Sequence, residues 1–322
     1  MKTVLRVIIL ILLLVRFSDA AGDKEVNQLY KETYRYDIVR SGYADVDVSL
    51  PLKLNWFINT TIDGNYYYDP KVKCSIVGDS GVLYFGAVEQ KFSAYDTATE
   101  QFKWSYQTAG NVHASATIVG DEIYFGDSKG YLYCMNKISG ELEWKRRFNN
   151  EVLSSPLIVD DRIYFSDMDD TLFCVSNEAG EVIWKVESRN YVRDVVIREV
   201  TSPSYSNGMV YQGFSDGYLY CYDAKLGKEI FRKKVRREGM FFDVDSPAAI
   251  DGKSVYTSSF DGRFIAINST TPTSKWEIEI KGNGYPAFSG SDLIVSSSDG
   301  VLYKVDKEYG NILWEKELSP NL

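Results

Sequence analysis

Residues 117–144 read TIVGDEIYFGDSKGYLYCMNKISGELEW, and residues 157–184 repeat the pattern as LIVDDRIYFSDMDDTLFCVSNEAGEVIW. Each stretch begins with a short apolar run, continues through an apolar residue followed by Tyr, and closes on Trp. β-branched and aromatic runs separated by turn residues are typical of short strands. The two stretches therefore predict one unit of four antiparallel strands, repeated in tandem.

The closing aromatic residue recurs about every forty residues, which is the length of one propeller blade. It is found at Trp104, Trp144, Trp184, Phe231, Trp276 and Trp314. Six complete units run from about Lys73 to Leu318, and Leu54-Asn55-Trp56 resembles the last strand of another. We therefore expect an all-β protein, a β-propeller of six or seven four-stranded blades.

Two glycine positions recur inside the units and indicate tight turns. One lies between the second and third strands, where glycine supplies the positive φ of a two-residue hairpin, as in Lys129-Gly130 and Asp216-Gly217. The other lies just before the strand that bears the tryptophan, as in Ser139-Gly140 and Ala179-Gly180. Both positions predict antiparallel neighbours joined by short turns.

These motifs, together with Ser155-Pro156, Ser202-Pro203 and Ser246-Pro247, resemble the pyrroloquinoline-quinone-type propeller repeat over about residues 50 to 318. Quinoprotein dehydrogenases with this repeat bind the quinone with calcium and often carry adjacent cysteines, and this sequence has no Cys-Cys pair. The chain looks more like the propeller lipoproteins of the bacterial outer-membrane β-barrel assembly machinery. That resemblance implies a non-catalytic scaffold, although this chain has fewer complete units and no lipid-anchoring cysteine.

The N-terminus has the order of a secretory signal peptide. Lys2 and Arg6 precede the apolar run Val7–Val15, and small residues follow up to Ala20, after which we expect cleavage. The run is too short to span a bilayer, so no membrane span is expected after cleavage. The predicted organisation is a signal peptide at residues 1–20, an N-terminal extension at residues 21–50 and a single propeller domain at residues 51–322.

Three of the four cysteines, Cys134, Cys174 and Cys221, occupy one position of the repeat. Equivalent positions in successive blades lie too far apart for a disulfide, so we expect buried thiols at these positions and at Cys74. His113 is the only histidine and no Cys-x-x-Cys is present, so a zinc site of the usual spacing cannot be assembled. The sequence predicts no cofactor, metal or catalytic residue.

Partner binding is expected on the loops that join one blade to the next, because they vary between units and hold large side chains. The candidate partner-binding residues are Tyr66, Tyr67, Tyr68, Tyr191, Arg193, Met240, Phe241, Phe242 and Tyr285. Aromatic and arginine side chains are enriched at the centres of protein interfaces. A basic run at Arg232-Lys233-Lys234 stands out against the net charge of −9 and indicates a possible site for an acidic partner.

The sequence thus predicts an exported, non-enzymatic scaffold that binds a protein or cell-envelope component through its loop face. Two alternatives stay open: a quinone- or metal-dependent oxidoreductase using the central channel, and a carbohydrate-binding propeller. The acidic composition argues against nucleic acid as a partner. We expect a periplasmic or secreted location, while the Asn-x-Ser/Thr triplets at Asn59 and Asn268 also fit a eukaryotic secretory lumen. The sequence gives no indication of oligomeric state.

Overall fold

The computed structural model describes residues 34–35, 37–42, 74–87, 89–189, 200–236, 243–244, 246–281 and 284–318. Over these ranges the chain contains 24 strands, which form six four-stranded antiparallel sheets in chain order. One sheet per repeat is the arrangement of a β-propeller, so the predicted fold is confirmed with six blades among the described residues. No helix in these ranges is long and apolar enough to cross a membrane. Leu54-Asn55-Trp56 lies outside them.

Each blade takes its strands from one repeat, and the first strand is the shortest or equal shortest. Blades one to three consist of β1 (Val77–Asp79), β2 (Val82–Ala87), β3 (Lys91–Asp96), β4 (Gln101–Gln107), β5 (Thr117–Val119), β6 (Glu122–Gly126), β7 (Tyr131–Asn136), β8 (Leu142–Arg147), β9 (Leu157–Val159), β10 (Arg162–Ser166), β11 (Thr171–Ser176) and β12 (Val182–Glu187). Blades four to six consist of β13 (Ser204–Ser206), β14 (Met209–Gly213), β15 (Tyr218–Asp223), β16 (Glu229–Lys234), β17 (Ala249–Ile250), β18 (Ser254–Ser258), β19 (Arg263–Asn268), β20 (Ser274–Glu279), β21 (Pro286–Ser289), β22 (Asp292–Ser296), β23 (Val301–Asp306) and β24 (Ile312–Glu317).

The repeated tryptophan of the outermost strand contacts the following blade. The indole Nε1 of Trp144 donates a 3.0 Å hydrogen bond to the Asn177 carbonyl of the third blade. A Cβ built on Gly180 would come within 2.8 Å of the Trp144 ring, so the bare glycine backbone supplies the surface on which the ring packs. The indole Nε1 atoms of Trp104, Trp184 and Trp276 donate equivalent hydrogen bonds to the following blade. In four blades the glycine before the outermost strand, at Gly140, Gly180, Gly227 and Gly310, therefore packs against the tryptophan of the preceding blade.

The strand that bears the tryptophan also explains the repeated cysteine position. Cys134, Cys174 and Cys221 lie opposite Trp144, Trp184 and Phe231 in the ladder, at a β-bulge, and alanine lies opposite Trp104 and Trp276. A small residue leaves room for the large ring across the strand pair. All four cysteines are buried, as the sequence predicts, and burial raises the pKa of the Cys174 thiol to about 11.

The serines that open the innermost strands link blades around the channel. The backbone N–H of Ser115 donates to Ser155 Oγ at 3.1 Å, and that of Ser155 donates to Ser202 Oγ at 2.9 Å. Ser75 donates in the same way to Ser115. The Ser-Pro pairs quoted from the sequence thus lie at contacts between successive blades. The Ser155 and Ser202 hydroxyls accept backbone N–H groups, and the Ser246 hydroxyl donates to the Gly284 carbonyl at 3.0 Å.

Substituting Gly180 with alanine tests the packing of tryptophan on glycine. The substitution places a methyl group against Trp144 and also strains a backbone with φ of 63°. We expect the free energy of unfolding to fall by about 2–4 kcal/mol in thermal or denaturant unfolding. Gly120→Ala is the matched control, since its φ is 59° with nothing within 4 Å of the added Cβ, and it should cost only about 1 kcal/mol. Equal losses would contradict the packing role.

Candidate functional site

Residues 34–35 and 37–42 lie in the central channel, a feature that the repeat pattern does not contain. Their carbonyl groups accept hydrogen bonds from the innermost strands of three blades: Ile38 from Tyr205, Val39 from Ile250 and Ser41 from Phe288, at 2.9–3.0 Å. In a propeller the first strand of each blade lines the channel with its free edge. Residues 34–35 and 37–42 are here called the channel segment. The channel segment therefore provides hydrogen-bond partners for backbone groups that would otherwise face the channel.

Arg40 anchors the channel segment and is fully buried. Its Nε donates to the Pro203 carbonyl at 3.0 Å and its Nη1 donates to the Tyr34 carbonyl at 2.6 Å. A longer contact of 3.4 Å joins Nη2 to the Ser155 carbonyl of the third blade. Burial lowers the pKa of Arg40 to about 10, partly offset by Tyr34 and Asp37. The guanidinium stays charged at neutral pH and ties blades three and four to the segment.

The opposite ends of the strands form two faces of the propeller. Because the four strands are antiparallel, the turns between strands two and three lie on the same face as the connections between blades. This face is here called the loop face. On it the connection before a blade is bonded to that blade's own hairpin turn in four blades, through backbone N–H to carbonyl hydrogen bonds of 2.9–3.0 Å. The pairs are Ser128 to Asn111, Met168 to Glu151, Phe260 to Asp243, and Ser298 to Lys281. The loop face is thus a hydrogen-bonded surface held by the blades.

A cleft of about 370 Å³ opens between blades two and three. It is lined by Ser128, Lys129, Arg147, Asn149, Asn150, Glu151 and Met168. These residues belong to the hairpin turns and connections of the loop face. Two cations and two amides facing one carboxylate give the cleft the donors that bind an acidic or carbonyl-bearing group. A second cleft of about 320 Å³, with Asp160, Arg162 and Lys225 among its lining residues, lies on the opposite face.

Only Tyr285 of the nine candidate partner-binding residues lies within the described ranges. It is half-buried, and the Arg35 guanidinium of the channel segment stands 5.9 Å from the centre of its ring. Arg35 also donates to the neighbouring Pro286 carbonyl. Tyr285 therefore helps to hold the channel segment. Tyr66, Tyr67, Tyr68, Tyr191, Arg193, Met240, Phe241 and Phe242 lie outside the described residues, and their role stays a prediction.

Asp170 is the most perturbed carboxyl group of the loop face. It accepts hydrogen bonds from the backbone N–H (3.1 Å) and the hydroxyl of Ser215 in the next blade. Burial raises the pKa of Asp170 to about 7. The bonds from Ser215 oppose this rise, and the negative charges of Asp216 and Asp243 add to it. Asp170 therefore takes up a proton in the folded protein more readily than in the unfolded chain.

This raised pKa makes stability depend on pH. A folded-state pKa above the unfolded value contributes stability at low pH, which is lost as pH rises from about 4 to about 7. We expect Asp170→Asn to remove this loss of stability with rising pH. The variant should therefore melt at a higher temperature than wild type at about pH 8 but not at about pH 4. The exposed Asp121→Asn is the control and should follow wild type at both values. A gain independent of pH would contradict the assignment.

No group of three or more His, Cys, Asp or Glu side chains in the described ranges is arranged to hold a metal ion. The channel instead presents serine hydroxyls, backbone carbonyls and the buried Arg40. A cationic guanidinium inside the channel repels a calcium ion. The described part of the channel therefore does not fit a quinone held with calcium.

Comparison with known proteins finds one matching family model and one curated relative of similar sequence. The family model described as outer membrane protein assembly factor BamB matches residues 89–316. The outer membrane protein assembly factor BamB of Xanthomonas campestris pv. campestris is 26% identical over 123 residues, which are 36% of this chain and 29% of that protein. The aligned part thus spans less than a third of this relative's length.

Two solved structures share the fold. The crystal structure of BamB from Moraxella catarrhalis has a TM-score of 0.69 and 19% identity, with 77% of this chain and 76% of that chain covered. A europium-containing methanol dehydrogenase has a TM-score of 0.63 and 11% identity, with 76% and 68% covered. At these identities the two matches establish the propeller architecture alone, because proteins of one fold can differ in function.

Proposed function

Because this chain belongs to the family of the outer membrane protein assembly factor BamB, we propose that it is a non-catalytic scaffold that binds another protein of outer-membrane protein assembly. The loop face carries the proposal, since its connections are bonded to the hairpin turns of the blades and form a preorganised surface. Preorganised loops on a rigid framework bind without a large cost of ordering. The expected export of the chain is consistent with a periplasmic location.

Loss of the protein should impair the assembly of outer-membrane proteins. We expect deletion of its gene to lower the amount of folded outer-membrane β-barrel proteins, as measured by quantitative proteomics of the outer-membrane fraction. The wild-type gene should restore the amount. Unchanged levels of these proteins after deletion, under conditions in which the chain is normally made, would contradict the proposal.

The quinone-dependent alternative requires an open channel, and here the channel segment bonds to the innermost strands of three blades. Calorimetric titration of the purified chain with pyrroloquinoline quinone, with and without calcium, tests it. We expect no saturable heat. One-to-one binding in the micromolar range or tighter would overturn the scaffold proposal and assign the function to the channel. The carbohydrate-binding alternative rests on aromatic residues outside the described ranges and stays a prediction.

A further inference from the structure

Charge is unevenly distributed over the outermost strands of the six blades. β8 of blade two and β16 of blade four each carry three basic residues and one acidic residue. β20 of blade five and β24 of blade six each carry one basic and two acidic residues. Blade three, between the two basic strands, adds Arg189 just after its last strand. The basic residues on or just after the outermost strands of blades two to four, here called the basic sector, are Lys145, Arg146, Arg147, Lys185, Arg189, Arg232, Lys233 and Lys234. Arg189 is paired with Glu229 at 2.7 Å and Arg146 with Glu181 at 3.8 Å.

Protection of sheet edges does not explain this distribution. An outermost strand exposes unpaired backbone groups, and charged side chains discourage another sheet from pairing with it. Either sign of charge achieves this, and β24 does so with glutamates. Grouping the positive charges on neighbouring blades of a chain with net charge −9 instead adds self-repulsion that edge protection does not need. The grouping therefore indicates a negatively charged partner.

The basic strands of blades two and four also share one local arrangement. A tyrosine begins the neighbouring third strand, and cationic groups of the outermost strand stand over its ring. Lys145 Nζ lies 5.4 Å and Arg147 Cζ lies 5.8 Å from the centre of the Tyr131 ring. Arg232 Cζ lies 5.3 Å from the centre of the Tyr218 ring. Cation–π contacts hold these side chains in place without neutralising their charge.

Two buried hydrogen-bonding atoms between blades three and four have no partner among the described residues. They are Arg232 Nη1 and Ser188 Oγ. The Tyr220 hydroxyl lies between these two residues. It interacts with the Arg232 guanidinium and with the backbone N–H of Arg189, which follows Ser188 in the chain. That hydroxyl donates to Asp216 at 2.7 Å. The Arg232 guanidinium thus lies where blades three and four meet, beside the exposed Arg189.

We propose that the basic sector binds an acidic segment of a polypeptide partner, with partner carboxylates pairing with the cations around Arg232 where blades three and four meet. The proposal rests on the proposed function as a protein-binding scaffold and identifies the chemistry of the partner. The cations lie on the outermost strands of three successive blades, so an extended acidic segment can contact several of them at once. A guanidinium paired with a carboxylate forms a strong, charge-assisted contact.

Fluorescence anisotropy with a labelled oligoglutamate peptide tests this inference on the full chain. We expect saturable binding that weakens as salt concentration rises, and no binding of a matched oligoglutamine peptide. Arg232→Gln should weaken oligoglutamate binding about tenfold, because a hydrogen bond to a charged group is lost. Lys234→Gln, an exposed substitution in the same strand, should cause a smaller loss in the same direction and serves if Arg232→Gln does not fold.

Lys316→Gln is the matched control, because Lys316 is an exposed lysine on the outermost strand of blade six, outside the basic sector. It should leave binding unchanged, and the melting temperature of each variant should confirm that it is folded. The inference is overturned if oligoglutamate does not bind, or if Arg232→Gln and Lys316→Gln lose affinity equally. It is also overturned if vesicles of equal phosphatidylcholine and phosphatidylglycerol bind while the peptide does not.

Failure of this inference can be separated from failure of the proposed function. Gene deletion reports on outer-membrane protein assembly whatever the partner's charge. If deletion lowers the folded β-barrel proteins and a gene encoding Arg232→Gln together with Lys234→Gln restores them fully, the scaffold function stands and the basic sector is not its binding site. If the double variant fails to restore them while Lys316→Gln succeeds, both proposals are supported.

Discussion

Replacing Trp276 with alanine should lower the free energy of unfolding by about 3–5 kcal/mol, the range found when a buried aromatic residue is truncated. The indole is 8% exposed, lies 5.5 Å from the Phe264 ring and 5.9 Å from the Tyr256 ring, and donates a 2.9 Å hydrogen bond to the Lys307 carbonyl of blade six. Its loss leaves a cavity at the contact between blades five and six, and the Lys307 carbonyl keeps only the longer 3.4 Å hydrogen bond from the Tyr256 hydroxyl. Denaturant unfolding followed by circular dichroism measures the change.

Trp314 is the control that the repeat itself provides. It occupies the same position of the next repeat but is 40% exposed and lies opposite Lys304, where other blades have alanine or cysteine. Trp314→Ala should therefore cost less than about 1 kcal/mol. If the two substitutions cost the same, the closing tryptophan would contribute only within its own sheet, and its docking on the following blade would be contradicted.

Replacing Arg40 with alanine should lower the free energy of unfolding by about 2–4 kcal/mol and release the channel segment. The change deprives the carbonyl groups of Pro203 and Tyr34 of their donor, at about 1–3 kcal/mol for each buried group, and this is partly offset because a charge is no longer buried. Trypsin cleavage after Arg35 reports the release directly, and about tenfold faster cleavage corresponds to 1.4 kcal/mol of local destabilisation.

Two comparisons make the Arg40 result specific. Arg146→Ala removes an arginine that is exposed on the outermost strand of blade two and donates to the Ala179 carbonyl, so it should change neither stability nor cleavage after Arg35 appreciably. Arg40→Lys keeps the charge but loses the planar donor group, and should fall between alanine and wild type. Wild-type resistance to cleavage in Arg40→Ala would show that the segment does not depend on Arg40.

The sequence predicts the blades well because each blade is stabilised by residues that recur. The spacing of Trp104, Trp144 and Trp184 identifies the unit, and the glycines and Ser-Pro pairs identify its turns and innermost strands. The structure adds what these residues contact: Gly180 supports Trp144 from the preceding blade, and Cys174 leaves room for Trp184 across the sheet. Such contacts follow from the stacking of neighbouring repeats, which a single repeat does not contain.

The channel segment and the basic sector could not be predicted in the same way. Residues 34–42 belong to no repeat, and their bonds reach blades separated from them by more than 150 residues of sequence, such as Ile38 with Tyr205 (205 − 38 = 167). The basic run at Arg232 is visible in the sequence, but its relation to β8 and Ser188 depends on which blades are neighbours. Long-range contacts of this kind require the folded arrangement.

Photocrosslinking in cells tests most directly whether the loop face binds a protein of outer-membrane assembly. A photoreactive amino acid would replace Lys129, an exposed residue in the loop-face cleft, or Lys225, an exposed residue in the cleft on the opposite face. Mass spectrometry would then identify the crosslinked protein. We predict that position 129 captures a known component of outer-membrane protein assembly and that position 225 does not. Capture of such a component from position 225 alone would contradict the proposed scaffold face.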